Sequence, residues 1–294
     1  RDAGQNCSFM VSWLRAWLAL NMSAPLLRPM TPDDRHEVAA LIYVSINTWY
    51  RRRGMPQIFN GGPGVTEVFY DVYHALEPGC ALVAEDPATR RLMGSCFYHP
   101  RQHHVGLGIM NVHPDYFGQG VARALLRTII DYTESHGLPA LRLTQSALNL
   151  DSFSLYNKAG FVPRCAYQDM VIDVPAAGFR PAEAGGKRVR DAMPADVPGM
   201  AALEMDVSGV TREQDYRYCI ENTLGFWHTS IYENARGEIE GFLISSRHAA
   251  VNMLGPGVCR TDEQAIALIG RELDVNRGRS PVVLVPVERT GIVR

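Results

Sequence analysis

The sequence predicts an α+β chain, a mixed central sheet flanked by helices, followed by a second, worn copy of the same plan. Three observations predict it. Strand-period and helix-period runs alternate over the first half in the order β-α-α-β-β-β-α-β-α-β-β. A strand, a glycine turn and a long amphipathic helix follow one another without a break over Val105–His136. Finally, Arg190-Asp191-Ala192-Met193-Pro194-Ala195-Asp196 echoes Arg28-Pro29-Met30-Thr31-Pro32-Asp33-Asp34 at an offset of 190 − 28 = 162, a period that suits a duplicated domain rather than a solenoid.

Composition bounds the function. In 294 residues, 46% hydrophobic and 20% charged residues describe a globular chain with a proper core. A formal net charge of −2 gives no basic face for nucleic acid. The six cysteines form no CxxC pair, which excludes a zinc framework and suits reduced thiols in a cytoplasmic protein. Residues 1–22 read as a leader, an artefact or a loosely docked helix; its apolar run, Phe9 to Leu20, is broken by Arg15 and too short to span a bilayer. No membrane partner and no metal is expected.

In chain order, Leu26–Met30 reads as a strand and Thr31-Pro32-Asp33-Asp34 as a helix start, with Thr at the cap and Pro at the first helical position. A helix over Asp33–Ser45 follows. Residues 46–66, with Trp49, Tyr50, Arg51-Arg52-Arg53 and Gly61-Gly62-Pro63-Gly64, read as irregular: a solvated turn or a mobile lip beside a pocket. A second helix over Thr66–Leu76 precedes a hairpin, Cys80–Glu85 with Arg91–Tyr98. Beyond the central stretch come a strand over Ala140–Gln145, a short helix over Asn149–Lys158, and strands at Phe161 and over Ala166–Val174.

In the central stretch, the strand Gly106–Val112 ends at His113-Pro114, because proline removes a ladder donor. Apolar Val121, Ala122, Leu125, Leu126, Ile129 and Ile130 form one helix face. A helix start carries unpaired N–H groups and partial positive charge, and glycines let the backbone close on an anion. Alone, Gly118-Gln119-Gly120 is equally an ordinary turn. It is not a P-loop, since no Gly-Lys-Ser/Thr follows, nor the dinucleotide motif, since Arg123 stands in place of the third glycine.

Two blocks together say more. Phe117-Gly118-Gln119-Gly120-Val121-Ala122 resembles the Arg/Gln-x-x-Gly-x-Gly/Ala pyrophosphate loop of the GNAT superfamily of acyl-CoA-dependent N-acyltransferases, with Phe117 in place of the Arg or Gln. Asn149 to Phe161 resembles the same family's Asn-x-x-Ala-x-x-Leu-Tyr-x-Lys-x-Gly-Phe, with Ser152 for the Ala. The resemblance spans about residues 26–174 and implies acetyl-CoA as co-substrate, in a cleft where strand 106–112 splays from strand 140–145. It further implies a diphosphate on the amides of Phe117, Gly118, Gln119, Gly120, Val121 and Ala122, and a pantetheine arm paired with Met110 and Val112. The Val112 N–H would face the thioester carbonyl, Asn149 would hold the cofactor, and Tyr156 would protonate the leaving thiolate. In many relatives a Glu on the strand before the loop is the base, but Val105–Ile109 has no carboxylate; His103, His104, Glu85, Tyr98 and His99 are the alternatives.

The resulting expectation is a leader (1–22), a catalytic GNAT domain (23–174), a linker (175–187) and a degenerate, truncated GNAT-like domain (188–294). In the second copy, Gly255-Pro256-Gly257-Val258-Cys259-Arg260-Thr261-Asp262-Glu263 stands where the phosphate loop belongs, and its two acidic residues would repel a diphosphate. The function implied is transfer of acetyl to a primary amine of a small molecule or peptide. The alternative is a CoA-binding regulatory or scaffold protein without activity.

Overall fold

The computed structural model describes residues 24–179 and 188–294; the expected leader and most of the expected linker lie outside them. The described chain divides into two compact units. One holds the residues up to Pro100 together with Gly106–Gly137, and the other holds Arg101–Val105 and the residues from Leu138 onward.

In the first unit, β1 (Leu26–Pro29) pairs antiparallel with β2 (Ala81–Glu85), β2 pairs antiparallel with β3 (Leu92–Pro100), and β4 (Val105–Val112) follows. Helices α1 (Arg35–Arg51), α2 (Glu67–Leu76) and α3 (Val121–Ser135) complete it. The first strand and first helix are clamped by Arg28. Its Nη1 and Nη2 donate to Asp34 at 2.7 and 2.6 Å, and its Nε donates to Glu85 at 2.5 Å. Asp34 also accepts the Thr31 N–H at 2.7 Å. The bonds from Arg28 hold its carboxyl below the usual carboxylate range against the opposing effect of burial.

Helix α1 runs on past Ser45 to Arg51, so Trp49 and Tyr50 are helical rather than irregular. No glycine or proline interrupts the run before Gly54. The chain beyond is fastened by Asn47, which is 1% exposed. Its Nδ2 donates to Phe59 O at 3.0 Å, and its Oδ1 accepts from Ile58 N and Phe59 N at 3.2 and 3.1 Å.

Helix α3 buries Val121, Leu125, Leu126 and Ile129, the face its sequence period names. It lies so near β3 that a Cβ on Gly94 would come within 2.8 Å of Asn111 O and 2.9 Å of Val121 Cγ1. Gly94 therefore sets the depth at which α3, and with it the preceding turn, sits on the sheet.

In the second unit, β5 is a strand only over Leu141–Arg142, shorter than the expected Ala140–Gln145. Helix α4 (Leu150–Lys158) starts at its Asn149 cap. Phe161 lies in no strand. The next strand, β6 (Tyr167–Val171), lies within the expected strand Ala166–Val174. It pairs antiparallel with β11 (Val282–Pro286), from Val171↔Val282 to Tyr167↔Pro286. Alternating residues tell a strand which faces it has, not which neighbour it takes.

The remaining strands are β7 (Val189–Asp191), β8 (Trp227–Glu233), β9 (Ile239–His248) and β10 (Val251–Cys259), and the six-stranded sheet runs β6-β11-β10-β9-β8-β7. Only β10 and β11 pair parallel. Helices α5 (Val197–Ser208), α6 (Glu213–Glu221), α7 (Asp262–Val275) and α8 (Thr290–Val293) surround it. Met200, Leu203, Tyr216, Ile231, Phe242 and Ile244 form one buried cluster, and Leu254, Leu268, Val283 and Val285 belong to another. Each such side chain contributes about 1.5–3 kcal/mol by leaving water.

Arg190 repeats the role of Arg28. Its Nη1 and Nη2 donate to Asp196 at 2.8 and 2.9 Å, and its Nε donates to Glu233 at 3.0 Å. The sequence echo at offset 162 thus corresponds to the same three-cornered ion pair between first strand, helix start and second strand.

Helix α7 is held to the sheet by a polar anchor. The fully buried Glu272 accepts from Ser230 Oγ and Ser245 Oγ, both at 2.5 Å, and from His228 Nδ1 at 2.9 Å. Burial alone would lower the His228 pKa, but Glu272 and Asp191 outweigh it and raise the value above 6.5. A raised histidine pKa stabilises the fold below the unfolded value and ceases to do so as pH rises through the folded one. Stability of this unit should therefore be fullest below about pH 6.5 and decline above it, and His228→Gln should flatten that dependence in thermal unfolding measured against pH. In the first unit, Gly94→Ala should cost about 1–3 kcal/mol in denaturant unfolding, because the methyl overpacks the α3–β3 contact.

Candidate functional site

The stretch expected to hold a phosphate is a continuous strand–turn–helix in the first unit. His113–Gly120 links β4 to α3, with a 3₁₀ turn over Pro114–Tyr116. Within it, Gln119 Nε2 donates to Asp115 O at 2.9 Å, and Gln119 N donates to Tyr116 O at 3.3 Å. Tyr116 Oη reaches Asp86 of the β2–β3 turn at 3.4 Å. Gly118 and Gly120 take φ of +78° and +84°, the left-handed region that favours glycine.

The N–H groups of Gly118, Gly120, Val121, Ala122 and Arg123 have no acceptor among the described residues, and the helix ladder begins with Ala124 N to Gly120 O at 3.0 Å. Convergent amides at the head of a long helix fit a phosphate, and need no side chain to do so. Phe117 is 40% exposed, with the Arg52 guanidinium 5.4 Å from its ring centroid. Met110 and Val112, expected along the pantetheine arm, are half-exposed on β4 immediately before the turn. The structure thus brings Met110, Val112 and Phe117 to Ala122 together on one ribbon.

Asn149 and Tyr156 belong to the second unit, both on α4. Asn149 caps the helix, its Oδ1 accepting from Ser152 N at 3.3 Å. Tyr156 packs on Phe161, with ring centroids 5.5 Å apart, and Phe161 N bonds Tyr156 O at 3.0 Å. Gly160 at φ +93° makes that return possible. The Gly-Phe pair of the second block therefore fixes the tyrosine ring as well as ending the helix.

The candidate bases separate. Glu85 is buried between Arg28 and Arg90, whose Nη2 lies 2.7 Å from it, so its carboxyl is occupied by structural partners. Burial pushes the Tyr98 phenol well up, and its ring lies against Tyr132 of α3. His104, buried in the second unit, is driven down to about 4 by burial and then by Arg142, Arg212 and Arg101, and is neutral at pH 7. His103 lies beside it, half-exposed. His99 lies against β4 in the first unit: a Cβ on Gly108 would come 2.9 Å from its Nε2, and Tyr73 flanks the ring at 4.6 Å. The glycines of β4 thus make room for an imidazole from the neighbouring strand. Sequence reasoning missed this pairing, although Gly106-Leu107-Gly108 in a strand already signals a close approach.

The corresponding point of the second unit is shut. Gly255–Cys259 continue strand β10, and only Arg260-Thr261 separate it from α7, so no glycine turn forms. Gln264 Oε1 accepts the N–H groups of Arg260 and Thr261 at 2.9 and 3.1 Å, and Gln264 N donates to Thr261 Oγ1 at 3.3 Å. Asp262 and Glu263 fill the first turn. Thr261 and Gln264 form a capping box at this helix start, and the two carboxylates of its first turn oppose an anion.

Among the described residues no cluster of three or more His, Cys, Asp or Glu is set to hold a metal, the five cysteines are free, and no helix is long and apolar enough to cross a membrane. Because a methyl on Gly120 would meet nothing within 4 Å, Gly120→Ala isolates the backbone requirement. It should cost about 1–2 kcal/mol in denaturant unfolding through the positive φ alone.

Known proteins share this architecture. Residues 57–161 match the Acetyltransferase (GNAT) family. A crystal structure of a putative acetyltransferase from Pyrococcus horikoshii superposes over 90% of this chain and 80% of its own, with TM-score 0.68 and 16% identity. A GCN5-related N-acetyltransferase from Sphaerobacter thermophilus gives TM-score 0.57 and 15% identity over 90% of this chain and 87% of its own. These likenesses are of fold. In sequence, the UPF0157 protein YqkA of Bacillus subtilis (strain 168) is 30% identical over 103 residues, which span 35% of this chain and 28% of that protein. The α+β fold, the amide-lined turn before α3 and the match over residues 57–161 agree: that segment is similar to the Acetyltransferase (GNAT) family, and the chain shares the fold of the acetyltransferase structures.

Proposed function

We propose that this protein transfers the acetyl group of acetyl-CoA directly to a primary amine of a small molecule or peptide. The observation that carries the reading is the set of unclaimed amides from Gly118 to Arg123 at the head of α3. They suit a diphosphate in number, direction and charge. Acetyl-CoA supplies an acyl group already activated as a thioester, so positioning provides much of the rate.

The chain's own groups then have defined tasks. Backbone of Met110 and Val112 aligns the pantetheine arm, and the Val112 N–H donates to the thioester oxygen as negative charge develops there. His99 takes the proton released by the attacking amine, in place of the carboxylate that β4 lacks. Tyr156 gives its phenolic proton to the departing thiolate, a step typically worth 10²- to 10⁴-fold, roughly. The bond formed is C–N and the bond broken is C–S, with one proton moving from amine to sulfur overall. Asn149 serves the cofactor through its cap of α4. The second half acts as a duplicated domain without its own cofactor site.

A second reading, a CoA-binding protein without turnover, draws on the missing carboxylate of β4 and on Phe117. Thiol release with acetyl-CoA and a panel of primary amines separates the two. The enzyme reading expects turnover that falls at least about 100-fold in Tyr156→Phe, with the acetyl-CoA dissociation constant little changed. Turnover unaffected by that change would remove Tyr156 from the chemistry. Acetyl-CoA at 100 times its dissociation constant should add about 2.7 kcal/mol of stability, and an unmoved Tm would sink both readings.

A further inference from the structure

The residue that the resemblance places at the start of the phosphate loop is a cation or an amide, and here it is Phe117. A charge has nevertheless come to that spot from elsewhere in the chain. Arg52, one residue beyond α1, sets its guanidinium 5.4 Å from the Phe117 ring centroid. The α1 extension to Arg51, which the sequence did not announce, is what carries Arg52 there. Among the described residues its guanidinium has no carboxylate and no hydrogen-bond acceptor. Its neighbours differ: Arg51 reaches Thr48 Oγ1 at 3.4 Å, and Arg53 lies 4.0 Å over the Trp49 ring. The acid of the turn, Asp115, has other neighbours, the Arg91 guanidinium at 3.9 Å and the His113 ring at 3.6 Å.

We propose that Arg52 is the side-chain ligand of the CoA diphosphate, held in place by the Phe117 ring. This deepens the acetyl-CoA reading above and rests on it. A guanidinium stacked on an aromatic face keeps its N–H edge directed outward, and it loses less freedom on binding than an unsupported one. Its fork matches phosphate oxygens while the amides of Gly118 to Arg123 bind the others. Phe117 is then an exchange of function: the loop gives up its own charge and provides a platform for one delivered by α1. Phosphate-bearing forms of the cofactor are the class of ligand it selects.

Calorimetric titration of the full chain with CoA and with pantetheine, which lacks phosphate, tests this. Arg52→Ala should raise the CoA dissociation constant about tenfold, or roughly 1.4 kcal/mol, and leave pantetheine unaffected. Adding Phe117→Arg to Arg52→Ala should recover most of the loss, because the loop then carries its own guanidinium. Arg53→Ala should stay within about twofold of the parent. An unchanged CoA affinity in Arg52→Ala, an equal loss with pantetheine, or no recovery in the double variant would overturn the assignment while leaving the acetyl-CoA reading standing. Failure of the parent chain to bind CoA would remove both.

Discussion

A single guanidinium at the end of the first strand organises each half of this chain. Arg28 joins β1 to the start of α1 through Asp34 and to β2 through Glu85, and Arg190 does the same through Asp196 and Glu233. An exposed ion pair is worth little, but here the acidic partners are largely buried and a broken bridge would strand them. The bond fixes where the first helix begins, and hence where its far end arrives. In the first unit that far end carries Asn47, which ties down the following chain, and it leads to Arg52, which meets Phe117 of the turn before α3.

The two strand-to-helix junctions differ in ways that bear on the proposed anion site. At α3 the linking residues His113–Gly120 hold two glycines at positive φ, and five successive or near-successive amides lack an acceptor among the described residues. At α7 two residues suffice, and Thr261 and Gln264 satisfy each other's backbone. Helix length and dipole are comparable, since α3 and α7 have 15 and 14 residues. What differs is the glycine turn, the capping box and the sign of the first turn's side chains: α7 begins with Asp262 and Glu263, and α3 has no acidic residue there.

Much of the fold was legible because periodicity survives in a sequence. The face Val121, Leu125, Leu126, Ile129 and the hairpin around Asp86 stand where their patterns put them. The turn was legible because only glycine tolerates its backbone, and the Asn149–Phe161 block because cap, tyrosine and Gly-Phe return are local to one helix. What escaped depends on partners distant in the chain. Nothing in Tyr167–Val171 says that its neighbour is β11, more than a hundred residues away. Nothing in Gly108 names His99, and nothing in the Arg51-Arg52-Arg53 run distinguishes the one that meets Phe117.

The placement of β6 bears on how this protein can be divided. A cut in the proline- and glycine-rich stretch after Val174 looks natural in the sequence, yet it would strip the outer strand from the six-stranded sheet. The released C-terminal piece would present the whole of Val282–Pro286 as a bare apolar edge, an invitation to strand addition by another copy. The N-terminal piece would trail five residues with no sheet to complete. A breakpoint ahead of Tyr167 keeps the strand with the partner it uses.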